Sequence, residues 1–546
     1  VTPARRFWTA ALALAAVGLL LRLKGIHDPI FDHPGWRQGD TAAIARNFAT
    51  LQLNPLFPQT DYNGPPPNYV ELELQIVPWV AALLYELFGV HEVFGRLLSI
   101  AFGVATIPLI ALFGRWLFTP HAAAQRGDPE GFQRAGAVAG ISAAAVYTIL
   151  PGAWYYSHTF MPDTTMVFFT TAALYAGARW IVDDEADWRG WWPAALLLAL
   201  AFLAKPVAVT AAIPVAAAAL AHFGWRGALR KPQLWALFAA AFVPLAVYDH
   251  VVSSHAEWHW ASGITKLHVI PGLQAAFTSP HAFVQKAVAF GHAFRLLATT
   301  MLGPVAFGLA IVGFCVPLRS RSDALLWGWL GGGLLYAYVV VTVERVDYYL
   351  YLLLPLGALV IGRLCAYAAE RWADQPQRRT TLAALGALVW LAALAVGYRQ
   401  IAPYYQWSRV NYVRAKALDA TLAPGALIVM GHYDPSILYT IGRKGWEEDP
   451  HLWTPFDEQS AIRKGARYFV SVEHTRLKQT NLELYCWLAR FPLLDPAAKW
   501  PVYETDPAKI LPGAEERWKA FRKREMAGAF ANWRKSQWKT EADPCR

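Results

Sequence analysis

Apolar runs, most of them about 18 to 25 residues long, recur along the chain, separated by short polar stretches. They cover residues 7–23, 94–118, 135–155, 163–181, 190–204, 206–223, 233–250, 296–317, 323–342, 347–366 and 380–398. Runs of about 20 residues cross a hydrocarbon core of roughly 30 Å as helices, so the pattern predicts a polytopic α-helical membrane protein with about eleven spans. Residues 76–88 are apolar but too short to cross, and are expected as a juxtamembrane helix. Beyond 399 the pattern turns soluble. Residues 426–430 and 468–472 read as buried strands, and Asp434 and Asp457 stand where helices start, which predicts an α/β domain over 399–546. Residues 1–398 form the membrane module, with outer loops at 25–95 and 251–295.

Charge fixes an orientation. Arg5 and Arg6; Arg115, Arg126 and Arg134; Arg179 and Arg189; Arg226, Arg230 and Lys231; Arg319 and Arg321; and Arg371, Arg378 and Arg379 all fall on one side if 76–88 does not cross. The Lys/Arg rule makes that side the inside. Loops 25–95 and 251–295 and the C-terminal domain then face outward. The net charge of +10 belongs to this pattern, and a nucleic-acid partner is not expected. With 55% hydrophobic residues and 16% charged, the composition suits a membrane protein. The first run lacks a small-residue cleavage site and reads as a retained span. The tail 514–539 interleaves Trp518, Phe521, Phe530, Trp533 and Trp538 with basic residues, as in an amphipathic helix docking on lipid headgroups or on the domain itself. Cys486 and Cys545 share the hydrophilic region, and sequence leaves their pairing open.

The outer ends of the spans concentrate chemistry. After the first span comes His33-Pro34-Gly35-Trp36-Arg37-Gln38-Gly39-Asp40. From Asp40 onward Thr41, Ile44, Ala45 and Phe48 recur at helical spacing, which predicts Asp40 as an N-cap or first-turn residue. Glu71 and Glu73 precede the short helix, Arg96 opens a span, and Asp163 is expected to cap another. Lys205-Pro206 breaks a long apolar stretch, while Glu344-Arg345-Val346-Asp347-Tyr348-Tyr349 ends a further span. Cations at 37, 96, 205 and 345 with acids at 40, 71, 73 and 163 suit a reaction on a lipid phosphate: cations hold the phosphate, and a carboxylate takes a proton from an incoming hydroxyl. His255 and His259 are four apart and would share a helical face. With Asp40, Glu71 or Glu73 they form a possible divalent metal set, although no cofactor is expected. No phosphate-binding glycine loop, Gly-x-Ser-x-Gly or Cys-x-x-Cys is present.

These features resemble the GT-C superfamily, in particular its bacterial branch akin to protein O-mannosyltransferases and the lipid A aminoarabinose transferase. The resemblance rests on residues 35–48, Phe160-Met161-Pro162-Asp163, Asp347-Tyr348-Tyr349 through Pro355, and Gly431-His432-Tyr433-Asp434-Pro435. It implies a glycosyltransferase that moves a sugar, with inversion, from a polyprenyl-phosphate donor to a lipid, glycan or protein acceptor on the outer face of the bacterial cytoplasmic membrane. Asp40 matches the family's proposed base, Glu73 a second first-loop acid, and Lys205 the lysine near the donor phosphate. Trp36, Arg37, Gln38, Glu71, Arg96, Asp163, Arg345 and Tyr348 are expected to bind substrate. Leu74 stands where the aminoarabinose transferase pattern has lysine, so Arg37 or Arg345 would serve in its place. Gly39-Asp40 replaces the acidic pair of mannosyltransferases, and sugar and acceptor stay open. Two alternatives use the same charges: a flippase of polyprenyl-linked glycans, and a ligase or polymerase of lipid-linked glycans.

Overall fold

A computed structural model describes residues 2–119, 129–371, 375–526 and 545. The chain divides into two compact units. One contains residues 1–27, 71–255 and 259–405; the other contains 28–70, 256–258 and 406–546.

The first unit is helical. Among the described residues, eight helices are long and apolar enough to cross a membrane, or nine with one bent pair taken as a single span. The expected count of about eleven is not confirmed among them. The helices at Arg134–Ile149 and Trp188–Ala204 are apolar but shorter. The run at 296–317 is not straight either: Pro280–Met301 and Pro304–Cys315 meet at 111°. Gly303, at φ +78°, makes that corner, and Pro304 starts the next helix with no N–H to satisfy. The short helix Ile76–Phe88 forms as expected.

Small residues set the helix packing. A Cβ on Gly140 would stand 2.2 Å from the Ala111 carbonyl oxygen, and one on Gly362 would stand 2.3 Å from that of Ala139. Glycine lets these backbones touch, and in lipid such close van der Waals contact, rather than hydrophobic exclusion, drives association.

The second unit holds a four-stranded sheet in the order Lys444–Glu447, Leu427–Met430, Ala466–Val470, Val502–Glu504. The first three strands are parallel and the last is antiparallel. The second buried strand thus begins two residues earlier than the apolar pattern suggested. Asp434 caps the helix Pro435–Ile441, its carboxylate accepting from the Ser436 N–H at 2.9 Å. Helix Pro455–Arg463 opens on a Thr454–Asp457 capping box, so Asp457 is its third residue rather than its cap. Val429, Phe469, Trp487 and Tyr503 form the core with Phe521 from helix Ala514–Met526. That part of the basic tail docks on its own domain. Phe530, Trp533 and Trp538 lie outside the described residues, as does Arg126. Cys486 and Cys545 are joined as a disulfide.

Candidate active site

Residues 28–70 build the first cluster. Helix Gly35–Thr50 starts at Gly35 behind Pro34, so the expected capping role of Asp40 is not observed. The reason is local: Trp36 to Gly39 already take helical geometry, and proline, with no N–H to lose, stands ahead of the first turn. Asp40 therefore sits in the second turn, pointing into packed protein. Gly39 makes this possible. A Cβ there would lie 2.6 Å from the Ser436 backbone nitrogen, so only glycine lets this helix rest on Pro435–Ile441.

Asp40 is 5% exposed. The Tyr62 hydroxyl donates to its Oδ1 at 2.8 Å, and Arg37 Nη1 lies 4.0 Å from Oδ2. Burial pushes the Asp40 carboxyl up to about 7; Arg37 and Tyr62 oppose the rise, while Asp434 and Asp61 add to it. Asp61 behaves in the opposite way. Burial alone would raise it, but Arg46 and Lys444 hold it below the usual carboxylate range. Lys444 Nζ stands 3.0 Å away, and Arg46 pairs directly with the other oxygen. Glu447, on the strand after the 435–441 helix, is driven well above its ordinary value by burial and then by Asp40 and Asp434. Its Oε2 is buried with no hydrogen-bond partner among the described residues. Two carboxyl groups held back from ionising, beside one held ionised, give a site able to accept and share a proton near neutral pH.

Of the neighbouring expectations, Gln38 is buried and donates to the Asp32 carbonyl and carboxylate at 3.2 and 3.0 Å. Trp36 is half-buried. Tyr62 and Glu447 were not singled out from the sequence. The one legible trace was Asp434, inside the Gly431–Pro435 motif.

The second cluster lies in the helical unit. Helix Trp191–Ala204 stops at Lys205, which is extended at φ −166°, and the chain restarts at Pro206 as a 3-10 turn. The break aims the ammonium at Asp163, 2.5 Å away. The Tyr348 and Tyr349 rings stand 5.1 and 4.9 Å from it. Asp163 begins its helix and is fully buried. One of its oxygens holds Lys205 while the other has no hydrogen-bond partner among the described residues. The Leu74 N–H donates to the Leu203 carbonyl at 2.9 Å, which sets buried Glu73 and its neighbour beside this break. Arg96, wholly buried, opens a helix that rests on the Phe160–Pro162 turn. A Cβ at Gly95 would lie 2.3 Å from the Phe160 ring.

Other candidates stand apart from this pair. Glu71 is buried and held by the Ser262 hydroxyl at 2.7 Å and by His259 at 3.2 Å. Arg345 is exposed in a left-handed conformation at φ +54°, and the ion pair of its neighbour Glu344 is with His268 at 3.8 Å. Asp347 accepts from the Tyr156 and Tyr404 hydroxyls at 2.5 and 2.7 Å. The expected histidine face does not form: a helix ends at His255, and His259 lies on the extended segment Trp258–His259. Among the described residues no group of three or more His, Cys, Asp or Glu is placed to hold a metal ion.

Residues 132–248 match the family model described as dolichyl-phosphate-mannose-protein mannosyltransferase. No curated protein sequence matches the chain. The fold is similar to the crystal structure of ArnT from Cupriavidus metallidurans bound to undecaprenyl phosphate, with TM-score 0.57 and 13% identity over 92% of this chain and 99% of that one. It is also similar to the archaeal oligosaccharyltransferase AglB from Archaeoglobus fulgidus, in complex with an inhibitory peptide and a dolichol-phosphate. There the TM-score is 0.51 and the identity 12%, over 94% of this chain and 76% of that one. The matched family and both structures are GT-C glycosyltransferases. The chain shares the fold of these two structures, and its helical unit is that of a polytopic membrane protein.

Proposed function

We propose that this chain is an inverting glycosyltransferase that moves a sugar from a polyprenyl-phosphate donor to a hydroxyl acceptor on the outer face of a bacterial cytoplasmic membrane. The observation that carries the reading is Asp40, buried and hydrogen-bonded by Tyr62 at 2.8 Å, with burial pushing its carboxyl up to about 7. In the reaction the acceptor oxygen forms a bond to the anomeric carbon while the bond from that carbon to the phosphate oxygen breaks. The acceptor's proton passes to Asp40, and the electron pair leaves on the polyprenyl phosphate. A base whose pKa lies near the working pH combines adequate strength with adequate ionisation, which is the condition for effective general-base catalysis.

Lys205 holds the donor phosphate. Its ammonium has three N–H donors, and the contact with Asp163 leaves donors for an anion. Glu73, Arg96 and Tyr348 are substrate-positioning groups around that end of the helical unit. The undecaprenyl phosphate in the ArnT structure and the dolichol-phosphate with AglB support a lipid-phosphate donor. An oxidising outer compartment suits the Cys486–Cys545 disulfide, and the basic short loops on the other side agree with that orientation. The acceptor is an envelope lipid, glycan or protein.

The test is transfer by purified protein from polyprenyl-phosphate sugars, alongside mass spectrometry of surface glycans from cells with and without the gene. Asp40→Asn is expected to lower transfer by about 10²- to 10⁴-fold with the fold intact. Full transfer by a folded Asp40→Asn protein would remove Asp40 from the mechanism. Build-up of an intact lipid-linked glycan on the inner side in cells lacking the gene would favour the flippase.

A further inference from the structure

The helix Asp163–Val182 carries the Lys205-paired aspartate at its first residue and Arg179 in its last turn. At 1.5 Å rise per residue the two lie about 24 Å apart along the axis. Around the Arg179 end is a cavity of about 390 Å³ lined by Arg115, Trp116, Thr119, Tyr175, Arg179 and Arg321.

Two of its three guanidinium groups, those of Arg179 and Arg321, face the carboxylate of Asp183. Asp183 accepts from Arg321 at 2.8 Å and from the Trp116 indole N–H at 2.7 Å. Arg321 also donates to the Thr119 carbonyl at 2.7 Å. That network ties the ends of three segments together. Arg179 reaches Asp183 only at 3.5 Å, and its side chain is 51% exposed. Arg115 makes no ion pair among the described residues; its guanidinium lies over the Phe7 ring at 4.8 Å. Among the described residues that line it, positive charge thus exceeds negative in a concave pocket between helix ends, with Trp116 and Tyr175 as walls. Planar guanidinium forks match phosphate oxygens, and basic pockets between transmembrane helices recognise anionic headgroups.

We propose that the Arg115–Arg179–Arg321 cavity is a second anion site, which binds the phosphate group of an anionic lipid headgroup or free phosphate and is separate from the Lys205 site. It sits on the side that the basic loops assign to the inner leaflet. Binding there does not depend on the transfer reaction.

The experiment uses the full chain in neutral detergent and native mass spectrometry. Short-chain phosphatidic acid and phosphatidylcholine of equal length are the probes, with inorganic phosphate as competitor. Phosphatidic acid is expected to stay bound and phosphatidylcholine to be lost. The Arg115→Gln, Arg179→Gln double variant is expected to weaken phosphatidic acid binding by about tenfold or more, since charge-assisted hydrogen bonds are the strong ones. Arg115→Lys is expected to keep part of it. Arg179→Gln alone, at a half-exposed position, serves if the double variant does not fold. Binding that resists inorganic phosphate assigns the site to a lipid headgroup. Binding displaced by it, with the same dependence on Arg115 and Arg179, assigns the site to the phosphate group itself. Equal binding of both lipids, or loss of binding in Lys205→Gln with the arginine variants unaffected, overturns the proposal.

Discussion

Replacing Tyr62 by phenylalanine removes one of the two groups that oppose the burial-driven rise of the Asp40 carboxyl. The ring is 3% exposed and keeps its volume, so packing survives while the 2.8 Å hydrogen bond to Oδ1 is lost. A hydrogen bond to a charged group contributes about 1.5–3 kcal/mol, and about 1.4 kcal/mol corresponds to one pKa unit. Tyr62 favours the ionised form, so its removal raises the Asp40 pKa from about 7 by about one to two units. A base with the higher pKa is mostly protonated at pH 7, and kcat/KM there is expected to fall about 5- to 50-fold. Activity should recover above pH 9, because the carboxylate forms again and is a stronger base. The assay is the pH profile of kcat/KM for sugar transfer by wild type and Tyr62→Phe, with the carboxyl infrared band titrated in both proteins and in Asp40→Asn as the reference. An acid limb that stays in place or moves to lower pH would refute the assignment. A loss equal at every pH would make Tyr62 a packing residue only.

Three further outcomes follow from the same geometry. Lys205→Gln leaves buried Asp163 without its cation and is expected to cost about 3–5 kcal/mol. Adding Asp163→Asn should restore the melting temperature but not the transfer activity, and a double variant that regains activity would reduce the pair to a structural role. Burial raises Glu458 to about 8, above its ordinary value, so the stability contributed by its neutral form is present at low pH and is lost as pH rises towards 8. Glu458→Gln keeps an acceptor for the Trp453 N–H, which now donates at 2.7 Å, and should raise the melting temperature at pH 9 while changing little at pH 5. Gly39→Ala places a methyl group 2.6 Å from the Ser436 nitrogen, which backbone cannot evade cheaply. Overpacking of this kind costs about 1–3 kcal/mol, and thermal unfolding together with the pH profile should both change.

The sequence by itself determined the membrane character, the short helix 76–88, the break at Lys205-Pro206 and the Asp434 cap. Each of these is local: a run of apolar side chains, a proline without an N–H, or a carboxylate next to a free helix end acts on its own neighbourhood. The motifs that carry the resemblance stand at those local features, which is why it could be read from the sequence. The tertiary structure decided what long-range packing controls. It turned the expected cap Asp40 into a second-turn residue facing Tyr62. It brought Glu447 and Asp434 to its side, close to 400 positions later in the chain. It gave Lys205 a carboxylate partner and bent the 296–317 run at Gly303. Burial and the field of distant charges set the Asp40 carboxyl at about 7. Neither quantity exists until the chain has folded, so no spacing of residues along the sequence encodes them legibly.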